Sequence, residues 1–313
     1  MSYSGKGGYS SATLNYVSQQ RSYATKSADQ TFSHSLQDTM NPAKFKNNIR
    51  ECRDSEDHPY SVPICVFLDV TGSMGSIPHT LIKEKFPILM ETLINNNVPH
   101  AQICFGAIGD HFCDKVPLQM GQFEAETVKL VDMLESVFIE KGGGANDGES
   151  YGLAWYVAAN HTSLDCFEKR GTKGFLFTIG DENIHSKYSG DALKDIMGLS
   201  ESPGDLTKEQ LYEMVSTKYH TFHIHVEDGS YETSHIEKSW KPILKEAFLS
   251  LKDSNNVAEL IATTVSVING ADMEKVLASF NSNAAGDVTQ ALALFQDMKP
   301  ANIHSTGDII QFN

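Results

Sequence analysis

Val62-Pro63-Ile64-Cys65-Val66-Phe67-Leu68-Asp69-Val70-Thr71-Gly72-Ser73-Met74-Gly75 is the stretch that decides how the rest of the chain is read. Its first half is a short apolar run with β-branched and aromatic residues. Such a run reads as a strand buried on both faces, as in a parallel sheet. The run stops at Asp69, because a charge inside the sheet would be costly. Thr71 and Ser73 follow at alternate positions, with Gly72 between them and Gly75 after. One carboxylate and two hydroxyls are thus presented on a tight loop at the carboxyl end of a central strand. That is the edge where open α/β sheets bind ligands. Three hard oxygens there suit Mg²⁺ or another hard divalent ion. Thr71 or Ser73 could also cap the next helix, and the two readings are compatible.

Outward from this stretch, strands and helices alternate. Residues 76–96 carry Ile82, Phe86, Leu89, Met90 and Leu93 at helical spacing, with Pro78 in the first turn and a kink expected at Pro87. Further strands are expected at 101–108, 174–180 and 221–226, with a short edge strand at 117–120. Helices are expected at 124–138, 149–161, 192–197 and 206–216. Two more amphipathic elements follow at 240–251 and 257–268, and 162–173 reads as a polar connector. The alternation implies an α/β fold: a Rossmann-like, doubly wound, mostly parallel sheet with helices on both faces.

The 313 residues carry 25 Lys and Arg against 40 Asp and Glu, a formal charge of -15. That balance opposes a nucleic-acid partner, which needs a basic surface. No run approaches the roughly 18 apolar residues of a membrane span, and the opening residues lack the apolar core of a secretory signal. The five cysteines are scattered without CxxC spacing. Reduced, mostly buried thiols in a cytoplasmic protein are the expectation.

Asp69-Val70-Thr71-Gly72-Ser73 resembles the Asp-x-Ser/Thr-x-Ser signature of von Willebrand factor A (vWA) domains, where it forms the metal-ion-dependent adhesion site. Two later loops extend the resemblance. Lys141-Gly142-Gly143-Gly144-Ala145-Asn146-Asp147-Gly148-Glu149-Ser150 is similar to the family's Gly-Gly-x-Thr loop, although no Thr follows the glycines. Asn146, Asp147, Glu149 and Ser150 offer the oxygens there, and relatives with an acidic residue after the glycines point to Asp147. Phe177-Thr178-Ile179-Gly180-Asp181-Glu182 resembles the third loop, which makes Asp181 the counterpart of an acid that reaches the ion through water. The resemblance therefore implies metal ligation by Asp69, Thr71, Ser73, Asp147 and Asp181. Asp110, Asn146, Glu149 and Glu182 are its outer-shell candidates, and a turn role is equally open for Asp110. Mg²⁺ is the implied ion, with Mn²⁺ and Ca²⁺ as alternatives. The vWA-like part spans 61–270 and looks most like a prokaryotic or phage-type intracellular branch.

The flanks divide into a Ser/Tyr-rich extended or disordered arm at 1–40, a helical connector at 41–60 with a helix from 43 to 52, and a helical tail at 271–313. Tyr3, Tyr9, Tyr16, Tyr23 and Phe32 recur along the arm and could dock it on its own domain or on a partner. The tail is expected to hold helices at 273–280 and 287–298 and an apolar patch at Ile309 and Ile310. His223 and His225 share one strand face, where packing is favoured over zinc.

The resemblance implies a protein-interaction module, not an enzyme. Its ion would take an acidic group from a protein partner. Many vWA proteins work beside an AAA+ ATPase, which makes one a candidate partner. An assembly component gripping neighbours through arm and tail is the alternative. A metal-assisted hydrolase with His111 or His185 as base stands third, since no phosphate-binding loop or nucleophile elbow is present.

Overall fold

Val62–Asp69 (β1) lies at the centre of the sheet because it is paired on both sides. In the computed structural model, which describes residues 9–22, 25–45, 47, 49–140 and 148–295, β1 runs parallel to Ala101–Ile108 (β2), in register from Val62 opposite Ala101 to Asp69 opposite Ile108. On its other side it pairs with Gly174–Gly180 (β4), from Ile64 opposite Phe175 to Leu68 opposite Ile179. Leu118–Met120 (β3) closes the β2 side as an antiparallel edge. Tyr219–Val226 (β5) and Phe248–Leu251 (β6) extend the β4 side in parallel. The order is β6-β5-β4-β1-β2-β3, the doubly wound arrangement in which the chain winds outward from the centre in both directions. The reversal falls between β1 and β4, where such sheets open a crevice at their carboxyl ends.

Strand side chains alternate between faces, and the core divides accordingly. Ile64, Val66 and Leu68 join a cluster with Leu89, Met90 and Leu93 of Phe86–Asn95 (α2), Leu130 and Leu134 of Thr127–Glu135 (α3), and Leu260 and Ile261 of Val257–Ile268 (α7). Cys65 and Phe67 join the opposite cluster, with Leu153, Trp155 and Val157 of Tyr151–Asn160 (α4), Leu211 and Val215 of Lys208–Lys218 (α5), and Ile236 and Trp240 of Thr233–Leu244 (α6). Helices thus cover both faces. None among the described residues is long and apolar enough to cross a membrane.

Several local expectations are corrected. The helix expected at 43–52 is a short 3₁₀ turn at Pro42–Lys44 followed by a strand, Arg50–Cys52. That strand pairs with Thr162–Leu164 inside the supposed polar connector, whose next residues, Asp165–Arg170, are helical. Three-residue strands carry too little periodicity to read. The pairing is pinned from outside: Arg53 meets Asp165, and Arg170 meets Asp54. The helix expected at 206–216 begins as a two-residue strand, Leu206–Thr207, before α5, and the element at 240–251 splits into the end of α6 and the strand β6. The 76–96 helix is broken into Ile77–Thr80, a π-helical turn at Leu81–Lys85, and α2. Pro87 falls in the first turn of α2, where its missing N–H costs least. In the tail the helices are Met273–Leu277 and Ser282–Ala291, while 296–313, with Ile309 and Ile310, lie outside the described residues.

The arm is not simply extended. Ser11–Gln20 (α1) is a helix capped by the Ser10 hydroxyl, and Leu14 and Val17 bury against Val131 of α3. Arg21 pairs with Asp132 and Glu135. Phe32 is buried in the main core and Tyr9 packs at its margin, whereas Tyr16 is exposed. Tyr3 and Tyr23 lie outside the described residues.

Candidate metal centre

The carboxyl ends of β1 and β4 bring Asp69 and Asp181 to the reversal point of the sheet, both fully buried. The loop after β1 folds back on Asp69. Its Oδ1 accepts from the Thr71 backbone N–H at 2.9 Å and the Thr71 hydroxyl at 2.6 Å. The Thr71 and Ser73 hydroxyl oxygens are 3.3 Å apart, and Ser73 donates to Asp181 Oδ1 at 2.8 Å. Four side chains expected at the site, Asp69, Thr71, Ser73 and Asp181, therefore form one continuous chain of oxygens. Asp147 and Asn146 lie outside the described residues.

Glu149 completes the cluster from the loop before α4. A bridge to Ile184 and a 2.8 Å hydrogen bond from its N–H to the Asn183 carbonyl hold its backbone. The carboxyl sits beside the Thr71 hydroxyl, is 7 % exposed, and its Oε2 has no hydrogen-bond partner. Burial, and then the charges of Asp69, Asp110 and Asp114, push its pKa upward. Burial likewise pushes Asp69 upward. Hydrogen bonds from Thr71 and Tyr151 oppose that shift and Asp181 adds to it. Among the described residues no lysine or arginine pairs with Asp69, Glu149 or Asp181. Buried carboxylates without a protein cation, one of them with an orphaned oxygen, fit a hard divalent ion. Glu182 is buried beside the cluster, its Oε1 accepting its neighbour Asn183's N–H at 2.9 Å and its carbonyl accepting Trp240 Nε1 at 3.0 Å.

Two supporting residues, Tyr151 and Ser230, carry no signature in the sequence. Tyr151, the first residue of α4, donates its hydroxyl to Asp69 Oδ2 at 2.6 Å. It reaches Asp69 only because Gly180 is bare: a Cβ there would lie 1.9 Å from the Tyr151 oxygen. The Ser230 N–H donates to Asp181 Oδ2 at 2.6 Å, and Gly229 lets that loop press against Asp181. Tyr151 directly follows the glycine loop and Ser230 lies far from every motif, and in both cases only the fold shows the contact with Asp69 or Asp181.

Asp110 does not join the Asp69 cluster directly. At the end of β2 it turns to a separate group: His185 Nε2 lies 2.8 Å from its Oδ1, and Ser150 donates to the same oxygen at 3.2 Å. Ser150 Oγ is also 2.7 Å from His111 Nδ1. Burial, reinforced by His185, lowers the His111 pKa although Asp110 opposes this. His111 and His185 are nearly buried, with side chains 5 % and 11 % exposed.

His223 and His225 are packing residues. His223 stacks on Trp240 with ring centroids 3.7 Å apart and places Nδ1 2.9 Å from Thr178 Oγ1. His225 Nε2 lies 3.1 Å from the Thr233 hydroxyl. The five cysteines are free and only Cys113 is exposed.

No protein-family model matches the chain, and no curated protein matches it. Among solved structures it is similar to two crystal structures of the pilus adhesin SpaC from Lactobacillus rhamnosus GG. One, in the open conformation, is 9 % identical with a TM-score of 0.43, and the other is 10 % identical with a TM-score of 0.42. Each alignment covers 70 % of this chain, which spans 31 % of the adhesin chain.

Proposed function

We propose that the protein is a metal-dependent protein-interaction module of the vWA type. Asp69, Thr71, Ser73, Asp181 and Glu149 would hold Mg²⁺, with Mn²⁺ and Ca²⁺ as alternative occupants. When bound, the ion supplies a Lewis acid with a position for an acidic group of a protein partner. The observation that carries this reading is the orphaned, buried Oε2 of Glu149, whose carboxyl lies beside the Thr71 hydroxyl of the Asp69–Thr71–Ser73–Asp181 chain. On that observation we add Glu149, an outer candidate in the sequence, to the groups proposed to touch the ion.

We favour a binding role, and the geometry does not build a serine relay. A serine–histidine–carboxylate relay needs serine and carboxylate on opposite imidazole nitrogens. Ser150 and Asp110 instead face the same His111 nitrogen, at 2.7 and 3.7 Å. An assembly role through the arm is weakened because residues 9–22 are seated on their own domain.

The test is a calorimetric Mg²⁺ titration of the full chain and of Asp69→Ala, with far-UV circular dichroism as the folding control. The substitution should abolish high-affinity binding and leave the domain folded. Unchanged Mg²⁺ affinity in the variant removes the site. Capture of a partner from native lysate in Mg²⁺ but not in EDTA, and not by Asp69→Ala, would extend the result from ion to partner and decide whether an AAA+ ATPase is involved.

A further inference from the structure

We propose that Asp110, His111 and His185 form a second metal site, for a borderline divalent transition ion such as Zn²⁺, distinct from the hard-oxygen cluster at Asp69. Each residue offers one ligand atom, and these atoms all lie within 4.8 Å of one another. Asp110 Oδ1 is 2.8 Å from His185 Nε2 and 3.7 Å from His111 Nδ1. Ions bound at about 2.0–2.1 Å space their ligand atoms roughly 3–3.5 Å apart. The shorter separation is also an ordinary hydrogen bond. The longer one exceeds hydrogen-bond distance, yet it points a second imidazole nitrogen at the same oxygen. Ser150 Oγ, 2.7 Å from His111 Nδ1 and 3.2 Å from Asp110 Oδ1, adds a fourth polar atom, the second oxygen, on one side.

The donor chemistry separates the two sites. Carboxylates and hydroxyls around Asp69 suit Mg²⁺, whereas two imidazoles and one carboxylate suit zinc, iron or another borderline ion. The ligands are held in place before any ion arrives. The His111 ring lies between Phe112, at 3.9 Å, and Tyr188, at 5.5 Å between centroids. Phe112 also meets the His185 ring edge-on at 5.0 Å while remaining 67 % exposed, an apolar cover over the imidazoles. His185 closes against Gly148, where a Cβ would come within 3.0 Å of its Nδ1. Asp110 is fixed by its own N–H, which donates to Asp114 Oδ2 at 2.7 Å. Such outer contacts orient ligands in protein metal sites.

The experiment uses the full chain in excess Mg²⁺, which occupies hard-oxygen sites, titrated with Co²⁺ as a coloured stand-in and then with Zn²⁺ as competitor. One Co²⁺ per chain should bind with the intensified visible bands of a histidine-liganded ion, and Zn²⁺ should displace it. His185→Ala and His111→Gln should each weaken Co²⁺ binding about 100-fold or more, with melting temperature confirming that the variants fold. Asp69→Ala should retain the Co²⁺ spectrum whether or not it loses Mg²⁺, so this inference and the preceding one fail separately. Wild-type Co²⁺ affinity in both histidine variants overturns it. Loss of the ion in Asp69→Ala alone also overturns it, by placing the ion at the other cluster.

Discussion

Tyr151→Phe isolates what one supporting hydroxyl does for the Asp69 cluster. The substitution removes a single oxygen and leaves a ring of the same shape wedged against His223 and Trp240, with centroids 5.0 and 5.2 Å away. Packing is therefore kept. The main loss is the 2.6 Å hydrogen bond to Asp69 Oδ2, leaving only the Thr71 contacts on Oδ1; a long 3.4 Å bond from the Glu182 N–H to the Tyr151 hydroxyl goes with it. A hydrogen bond to a charged group is worth about 1.5–3 kcal/mol, and each factor of ten in affinity is about 1.4 kcal/mol. If the bond serves to orient Asp69 toward an ion, Mg²⁺ affinity should fall about 10- to 100-fold, the usual cost of removing an outer contact. The assay is Mg²⁺ calorimetry on wild type and Tyr151→Phe at one pH and ionic strength, with urea unfolding in EDTA alongside. An affinity equal to or tighter than wild type, in a folded variant, would refute the reasoning, because Asp69 would then need no second anchor.

Three further outcomes are expected. Glu149→Gln should stabilise the metal-free protein at neutral pH by on the order of 1–3 kcal/mol, because an uncompensated buried carboxyl is removed, and should lose the stabilisation that Mg²⁺ gives wild type. Urea unfolding in EDTA and in Mg²⁺ reads both effects. His223 is fully buried, and its pKa is held well below the ordinary value of 6.5 by burial and then by His225. The unfolded chain therefore takes up a proton that the folded one refuses, and stability falls as pH drops below about 6.5 by about 1.4 kcal/mol per pH unit for this group. His223→Phe should flatten that slope by one proton, whatever its packing cost, and parallel stability–pH curves would contradict the assignment. Leu14→Ala, which removes the main apolar contact of α1 with α3, should destabilise by about 2 kcal/mol in thermal unfolding, whereas a free arm would show no change.

The sheet was legible because its central strands are long apolar runs that end in loop residues. Val62–Asp69 and Gly174–Gly180 announce both their burial and the edge at which they stop. Asp69, Thr71, Ser73 and Asp181 were legible for the same reason, since each lies where a strand ends. The two- and three-residue strands were not, because a period of two needs more residues to show. Tyr151 and Ser230 were illegible on physical grounds: a tyrosine at the start of an apolar helix reads as core, and its link to Asp69 spans 82 residues. His111 and His185 drew notice only as candidate bases. Their meeting at Asp110 depends on β2 and the loop after β4 ending at the same edge of the sheet.

The docked arm has a consequence for the order in which the molecule forms. Ser10 N–H donates to Thr127 Oγ1 across 117 residues, and Met120 N–H donates to the Met40 carbonyl, so the N-terminal region seats on α3 and covers the free edge of β3. On the ribosome this segment emerges long before its seat exists, and closing so large a loop is slow. Until α3 and β3 are made, Leu14 and Val17 have no surface to pack against and the nascent sheet has an open border. The seated arm thereby covers the sheet edge at which stray strands would otherwise add.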